Sequence, residues 1–121
     1  MSSVAPYLIR AYHEWMEDST LTAHILVDCS LEDDSLVVPS QYIQDGKIVL
    51  NISTTATEAL TIDREQVRFK ARFGGVSQQV IVPMSTIASI YAAENGEGMF
   101  FETKPNTSTE AEEKPNLTLL D

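Results

Sequence analysis

The sequence predicts an α+β domain that is mostly β, with one N-terminal helix, six or seven strands in a small twisted open barrel or two-sheet fold, and a disordered C-terminal tail. Three observations support this prediction. Apolar residues near the N-terminus recur at helical spacing, short alternating apolar segments fill the middle of the chain, and the residues from 103 onward are mainly polar. With 121 residues, of which 43% are apolar, the chain can bury one ordinary core.

Pro6 to Asp18 is the predicted helix, because proline suits a first helical turn and apolar residues follow at spacings of three and four. The apolar stripe consists of Tyr7, Leu8, Ala11, Tyr12, Trp15 and Met16, with Arg10, Glu14 and Glu17 facing away. Tyr and Trp together are typical of partly wet contact surfaces, so the stripe is a candidate for self-association. Packing in the protein's own core is the alternative.

Shorter segments follow the helix. Ala23 to Cys29 alternates as a first strand, and Val37 to Pro39 indicates an edge segment because proline cannot donate to a ladder. Asp45-Gly46 then marks the turn of a hairpin over residues 42–51. The small polar residues that come next favour a loop, which precedes a further strand at Leu60 to Ile62.

The clearest pattern in the chain is a hairpin over residues 67–82. Its first strand has an apolar face and a basic face, namely Val67, Phe69, Ala71 and Phe73 against Arg68, Lys70 and Arg72. Gly74 and Gly75 then reverse the chain, because residues without Cβ tolerate the positive φ of a tight turn. A return strand of valines and isoleucine ends at Pro83.

The segment after this hairpin predicts one more helix and one more strand. Met84 to Ala93 is interpreted as a short helix that buries Ile87 and Ile90 and stops at Asn95-Gly96. Met99 to Phe101 is the predicted last strand.

Ala71 is the small member of an otherwise large apolar face. Between two phenylalanines its methyl group leaves a shallow depression beside exposed backbone, which a side chain from another molecule can enter. Arg68, Lys70 and Arg72 place positive charge nearby in a chain with 8 basic and 18 acidic residues, so an acidic peptide is a candidate ligand. The alternative is that Ala71 accommodates a neighbouring helix and the cations keep the strand soluble.

Composition limits the classes of partner that the protein can bind and the cellular compartment in which we expect it. A formal net charge of -10 opposes binding to phosphate backbones. A single cysteine allows no internal disulfide, and the sequence shows neither a basic region before an apolar run nor an apolar segment of membrane length. We therefore expect a soluble cytoplasmic protein.

Enzymatic chemistry finds no support in the sequence. His13 and His24 lack the spacing to other ligands that zinc or a Ser/His/Asp relay requires, and Cys29 in an alternating strand is typical of a buried small hydrophobe. Phe73-Gly74-Gly75 lacks the rest of a phosphate loop. We expect no catalytic residue, no metal and no cofactor, and we interpret the chain as a binding module.

The C-terminal segment divides in two. Residues 103–113 contain no large apolar side chain and predict a flexible acidic linker, whereas residues 114–121 include three leucines. A polar linker that ends in an apolar cluster is typical of a short docking peptide. A frayed chain end is the alternative.

Four motifs resemble one known family. PYLIRAYHEW, DGKIVLNI, EQVRFKARFGG and IYAAENG followed by MFFE are similar, in this order, to the stringent starvation protein B (SspB) family of bacterial ClpXP protease adaptors, over residues 6–102. The terminal KPNLTLL resembles the family's ClpX-docking peptide. The linker is shorter than is usual in the family, and Thr118 and Asp121 stand where basic residues are common.

The resemblance implies a substrate-delivery adaptor whose residues 1–102 form a fold similar to the Sm barrel. Members of the family form homodimers through the N-terminal helix, bind the ssrA degradation tag of stalled nascent chains in a groove on each subunit, and tether this cargo to ClpX. Carried onto this chain, the tag groove comprises Asn51, Phe69, Ala71, Arg72, Phe73, Gly74 and Gly75, the dimer interface Tyr7, Leu8, Ala11, Tyr12 and Trp15, and the docking peptide Pro115, Leu117, Leu119 and Leu120.

A small RNA-binding barrel of the Sm or oligonucleotide-binding kind is the competing hypothesis. It rests on the cations of residues 68–72, which interleave with Phe69 and Phe73 as in proteins that bind single strands. The net charge of -10 opposes it.

Overall fold

The structure is a computed structural model that describes residues 4–31 and 33–101. The predicted linker at 103–113 and the predicted docking peptide at 114–121 lie outside the described residues. The helix and strands are α1 (Ala5–Asp18), β1 (Ala23–Asp28), β2 (Lys47–Asn51), β3 (Glu58–Ile62), β4 (Gln66–Phe73), β5 (Val76–Pro83), β6 (Ile87–Ala92) and β7 (Gly98–Phe100).

The strands form two antiparallel sheets, which confirms the predicted fold class. Their order is β2-β1-β6-β7 in the four-stranded sheet and β3-β4-β5 in the three-stranded sheet, and over residues 4–31 and 33–101 the sheets do not close into a barrel. One apolar cluster contains residues of α1 and of both sheets, so the helix and the sheets share a single core. In the same part of the chain, no helix is long and apolar enough to cross a membrane.

α1 is apolar on two sides. Ile9 and Met16, two helical turns apart, are fully buried, whereas Tyr7, Ala11 and Trp15, spaced four residues apart, are exposed. The predicted stripe is therefore divided: Met16 lies on the core side with the half-buried Leu8 and Tyr12, and Ile9, which the stripe omitted, also faces the core. The apolar surface of this helix is wider than its contact with the sheets.

β1 confirms the predicted alternation, since Ala23, Ile25 and Val27 are fully buried and the residues between them are half-buried. The strand ends at Asp28, one residue earlier than predicted. Cys29 therefore lies in a short 3-10 turn (Cys29–Leu31) and is half-buried.

The predicted turn at Asp45-Gly46 is present. Both residues have positive φ, 54° and 75°, as a two-residue hairpin turn requires, and Gln44 and Lys47 exchange backbone hydrogen bonds of 2.8 and 2.9 Å across it. The residues before the turn form only this one bridge to β2, so the predicted hairpin over 42–51 has a single strand.

β4 and β5 form the central hairpin predicted from the sequence. They pair without interruption from Gln66 and Pro83 to Phe73 and Val76, and Gly74 and Gly75 make the turn with φ of 60° and 83°. The predicted edge segment at Val37 to Pro39 contributes one isolated bridge, from Val37 to Ile81 of β5.

The predicted helix at Met84 to Ala93 is wrong. A single 3-10 turn, Met84–Thr86, leads into β6, which lies between β1 and β7. An inner strand carries buried side chains towards both faces, so its burial does not alternate, and the three-residue spacing of Ile87 and Ile90 imitates a helical stripe. This segment forms a strand because β1 and β7 pair with it on either side, and its β-branched residues Ile87 and Ile90 fit a sheet well.

Candidate functional site

A hollow of about 300 Å³ surrounds Ala71, at the point where the predicted depression lies. It is lined by Thr55, Ala56, Thr57, Glu58, Lys70, Ala71, Arg72 and Ser77, and we call it the Ala71 trough. The loop after β2 and the start of β3 form one wall, while the β4–β5 hairpin forms the other. The trough is therefore assembled from segments that are distant in sequence.

The burial of β4 explains why the trough lies at Ala71. Val67 and Phe69 on the same face are 0% and 1% exposed, whereas Ala71 and Phe73 are only half-buried. The apolar face of β4 thus leaves the core between residues 69 and 71. A methyl group at this boundary leaves space that a larger apolar side chain would fill.

Phe69 is the predicted groove residue that the structure places farthest from solvent. At 1% exposure its ring belongs to the core, paired across the sheet with the fully buried Val80. It cannot touch a ligand directly in this conformation, and it supports the strand that carries Ala71.

The cations at the trough are Lys70 and Arg72, both exposed. Among the described residues neither forms an ion pair within 4.0 Å, although Glu58 lies opposite Lys70 across β3 and β4 and also lines the trough. Arg68 pairs with Thr61 and does not line it. Two basic side chains are thus positioned to meet a negatively charged ligand.

Phe73, Gly74 and Gly75 lie together at the tip of the hairpin, where their neighbour is Tyr42, a residue absent from the predicted groove. The rings of Phe73 and Tyr42 are 5.7 Å apart between centroids, and a Cβ on Gly74 would come within 3.4 Å of the Tyr42 hydroxyl. Tyr42 is 45% exposed. No local signal in the sequence points to Tyr42, because it lies about thirty residues before Phe73 in the chain and only folding brings the two together.

Asn51 lies at the end of β2 in the other sheet and shapes a wall of the trough without lining it. Its Oδ1 accepts a hydrogen bond of 2.9 Å from the Ser53 backbone N–H. The Ser53 carbonyl in turn accepts bonds from the Ala56 N–H (3.1 Å) and the Thr57 hydroxyl (2.9 Å). Asn51 thus contacts the loop that forms one wall of the trough but is not among the residues that line it.

A second hollow, of about 430 Å³, adjoins the trough and shares Thr57 with it. It is lined by His13, Thr54, Thr57, Ala59, Leu60 and Ile62. Ala59 has an unusual φ of 56° and lies in a bulge, since β3 places two residues opposite one residue of β4. No local pattern in the sequence predicts this hollow, because α1, a loop and β3 each contribute residues to it.

The predicted interface residues on α1 form a partly exposed apolar surface. Tyr7 and Trp15 are 48% and 42% exposed, Ala11 is exposed, and Leu8 and Tyr12 are half-buried. The rings of Tyr12 and Trp15 meet edge to face at 6.2 Å. Beside these two rings lies a hollow of about 480 Å³ that the turn before β7 completes.

Outside the trough, the surroundings of Cys29 affect the reactivity of its thiol. Burial, and then the neighbouring Asp28, raise the pKa of the Cys29 thiol, which disfavours the thiolate. Within residues 4–31 and 33–101, no three His, Cys, Asp or Glu side chains come together in a group that could hold a metal ion.

Comparison with known proteins agrees with the motifs. The family model described as stringent starvation protein B matches residues 3–119. A curated relative, the stringent starvation protein B homolog of Haemophilus influenzae, is 43% identical over 97 residues, which cover 80% of this chain and 63% of the relative. The match thus spans less than two thirds of that relative's length. On this evidence, together with the motifs quoted above, the chain belongs to the stringent starvation protein B family.

Proposed function

We propose that this protein is a non-enzymatic, cytoplasmic adaptor that binds ssrA-tagged polypeptides in the Ala71 trough and tethers them to ClpXP to enhance their degradation. The observation that carries the proposal is the half-buried Ala71 in a hollow of about 300 Å³ that two exposed cations, Lys70 and Arg72, also line. Membership of the SspB family supports it.

The size and charge of the trough suit an extended peptide. Its volume of about 300 Å³ corresponds to the small end of ligand sites in proteins, enough for the side chains of a short segment. Lys70 and Arg72 favour the acidic residues of the tag, chiefly through charge complementarity and faster encounter. These two residues concentrate positive charge at the trough in a chain whose formal net charge, with both of them included, is -10.

The exposed stripe of α1 supports the second part of the proposal, a homodimer. Tyr7, Ala11 and Trp15 form an apolar surface that the chain's own core leaves uncovered in the described residues. A second copy of the same helix would bury it. A dimer presents two troughs to two tags, and its two tails add avidity at the protease.

The docking peptide is the third part, and it rests on the sequence. Pro115, Leu117, Leu119 and Leu120 would bind ClpX, while the preceding linker supplies reach. Flexible tethers of this kind raise the effective concentration of cargo to about the millimolar range. Burial weakens the RNA-binding alternative, because Phe69, one of the two aromatic residues on which it rests, is 1% exposed and cannot stack on a base.

Fluorescence anisotropy with a labelled ssrA peptide tests the proposal. We expect saturable binding, competition by unlabelled tag, and none by a scrambled peptide of identical composition. ClpXP degradation of a tagged substrate should then accelerate when the protein is added. Equal binding of tag and scrambled peptide would contradict a specific site, and binding of single-stranded RNA with a steep salt dependence would favour the alternative.

A further inference from the structure

We propose that Glu17 of α1 is a positioning residue for the Ala71 trough, because it holds the loop that forms one of the trough's walls. This inference rests on the proposed function and adds to it a residue outside the predicted groove. Sequence periodicity placed Glu17 on the solvent side of the helix. In the structure its carboxylate binds a residue 37 positions away in the chain.

The contact is a two-point clamp. The Thr54 backbone N–H donates to Glu17 Oε2 at 3.0 Å, and the Thr54 hydroxyl donates to Oε1 at 2.8 Å. Both carboxylate oxygens are thus used on one residue, which restrains its position and its orientation. Hydrogen bonds to an ionised group are stronger than neutral ones, although partial exposure to water weakens them.

A second contact from the same helix lies one turn away. His13 Nε2 is 2.9 Å from the Ile52 carbonyl oxygen and 3.6 Å from Glu17 Oε2. A carbonyl oxygen can only accept, so His13 donates from Nε2. The helix therefore anchors the loop at Ile52 and again at Thr54.

The anchored loop continues directly into the trough. Thr55, Ala56 and Thr57, the three residues after Thr54, all line the Ala71 trough, while the opposite wall belongs to the β4–β5 hairpin. The width of the trough thus depends on where α1 holds the loop. Losing the clamp would let this wall move, and a peptide would then have to order the wall on binding.

Two variants of α1 test the inference. Glu17→Ala removes the clamp, and Glu14→Ala removes the same charge from an exposed position of the same helix. We expect about 5- to 10-fold weaker binding of the labelled ssrA peptide for Glu17→Ala and little change for Glu14→Ala, as the loss of charge-assisted but partly solvated hydrogen bonds implies. Glu17→Gln, which keeps one carbonyl acceptor, should recover part of the affinity.

Amide hydrogen exchange of the peptide-free protein separates positioning from general destabilisation. In Glu17→Ala the amides of residues 54–57 should exchange faster, while those of the buried strands β1 and β4 stay protected. Equal loss of affinity in both variants, or unchanged exchange at residues 54–57, would overturn the inference. Should Glu17→Ala fold poorly, Thr54→Ala removes one bond of the clamp from an exposed position and is expected to act in the same direction.

The exchange measurement also distinguishes the two proposals. Failure of the unmodified protein to bind the ssrA peptide would overturn the proposed function. Amide exchange at residues 54–57 would still test whether Glu17 holds the loop. Faster local exchange in Glu17→Ala supports this role, and unchanged exchange refutes it.

Discussion

At the scale of single residues, the small side chain of Ala71 gives the most direct prediction about peptide binding. Ala71→Gln places a longer polar side chain in the trough, so we predict loss of ssrA-peptide binding, measured by fluorescence anisotropy. The thermal unfolding midpoint should change little, because the position is half-buried and borders open space.

Ala93→Gln is the matched control, since it makes the same change at an exposed alanine that does not line the trough. Its affinity should equal that of the unmodified protein. Retention of full affinity by Ala71→Gln would place the binding site elsewhere.

Ala59 gives a second prediction at this scale, one about stability. Its φ of 56° lies in the left-handed region, where a residue with a Cβ costs about 1–2 kcal/mol. Glycine avoids this cost, but it lowers the stability by about 0.4–1 kcal/mol because the unfolded chain gains conformational entropy. The strain is the larger effect, so Ala59→Gly should raise the free energy of unfolding by roughly 0.5–1 kcal/mol in urea denaturation. Ala93→Gly, at ordinary φ, should lower it; equal effects of the two changes would show that Ala59 is unstrained.

At the scale of elements, a carboxylate clamp also joins the end of β6 to the connection before β1. Glu94 accepts bonds from the Thr22 N–H at 2.8 Å and the Thr22 hydroxyl at 2.7 Å, and these bonds lower its pKa. Hydrogen bonds from Ser35 lower the pKa of Asp33 in the same way, and those from the backbone of Glu65 and Gln66 lower that of Asp63.

A lowered pKa in the folded protein means that the unfolded chain takes up protons first as the pH falls. The stabilisation is therefore complete above the ordinary pKa of about 4.5 for Glu94 and is lost as the pH falls through the lowered value. We predict that Glu94→Gln lowers the urea midpoint near pH 7 and that the difference from the unmodified protein narrows below pH 4.5. A difference that is constant with pH would contradict the clamp.

The exposed apolar residues of α1, Tyr7, Ala11 and Trp15, give the prediction about assembly. Trp15→Glu places a charge on an apolar surface and should shift a dimer towards monomer in sedimentation equilibrium. Val49→Glu is a matched control, because Val49 is 48% exposed, close to the 42% of Trp15, but lies on β2. A monomeric unmodified protein, or equal effects of both changes, would contradict a dimer through α1.

At the scale of the whole molecule, cargo binding and protease docking are predicted to reside in separate parts of the chain. Deletion of residues 115–121 should leave ssrA-peptide affinity unchanged, because the described residues that line the trough lie between positions 55 and 77, yet abolish stimulation of ClpXP degradation. Thr118→Ala is the control that keeps the leucines. Stimulation that persists after the deletion would show that the tail is not the docking element.

Local patterns in the sequence were enough for the fold class, α1, the central hairpin with its Gly74-Gly75 turn, the Asp45-Gly46 turn and the family. Each depends on periodicity, turn chemistry or contiguous motifs, which neighbouring residues determine. Alternation also located Ala71, since the face of a strand can be read from every second residue.

Tertiary structure alone decided the rest. It made a strand of the predicted helix at Met84 to Ala93, buried Phe69, and divided the apolar surface of α1 between the core and the exterior. It also brought Tyr42 to the hairpin tip and Glu17 to the loop at Thr54. These outcomes depend on which distant segments meet, and contacts between residues tens of positions apart leave no period or motif in the sequence around either partner.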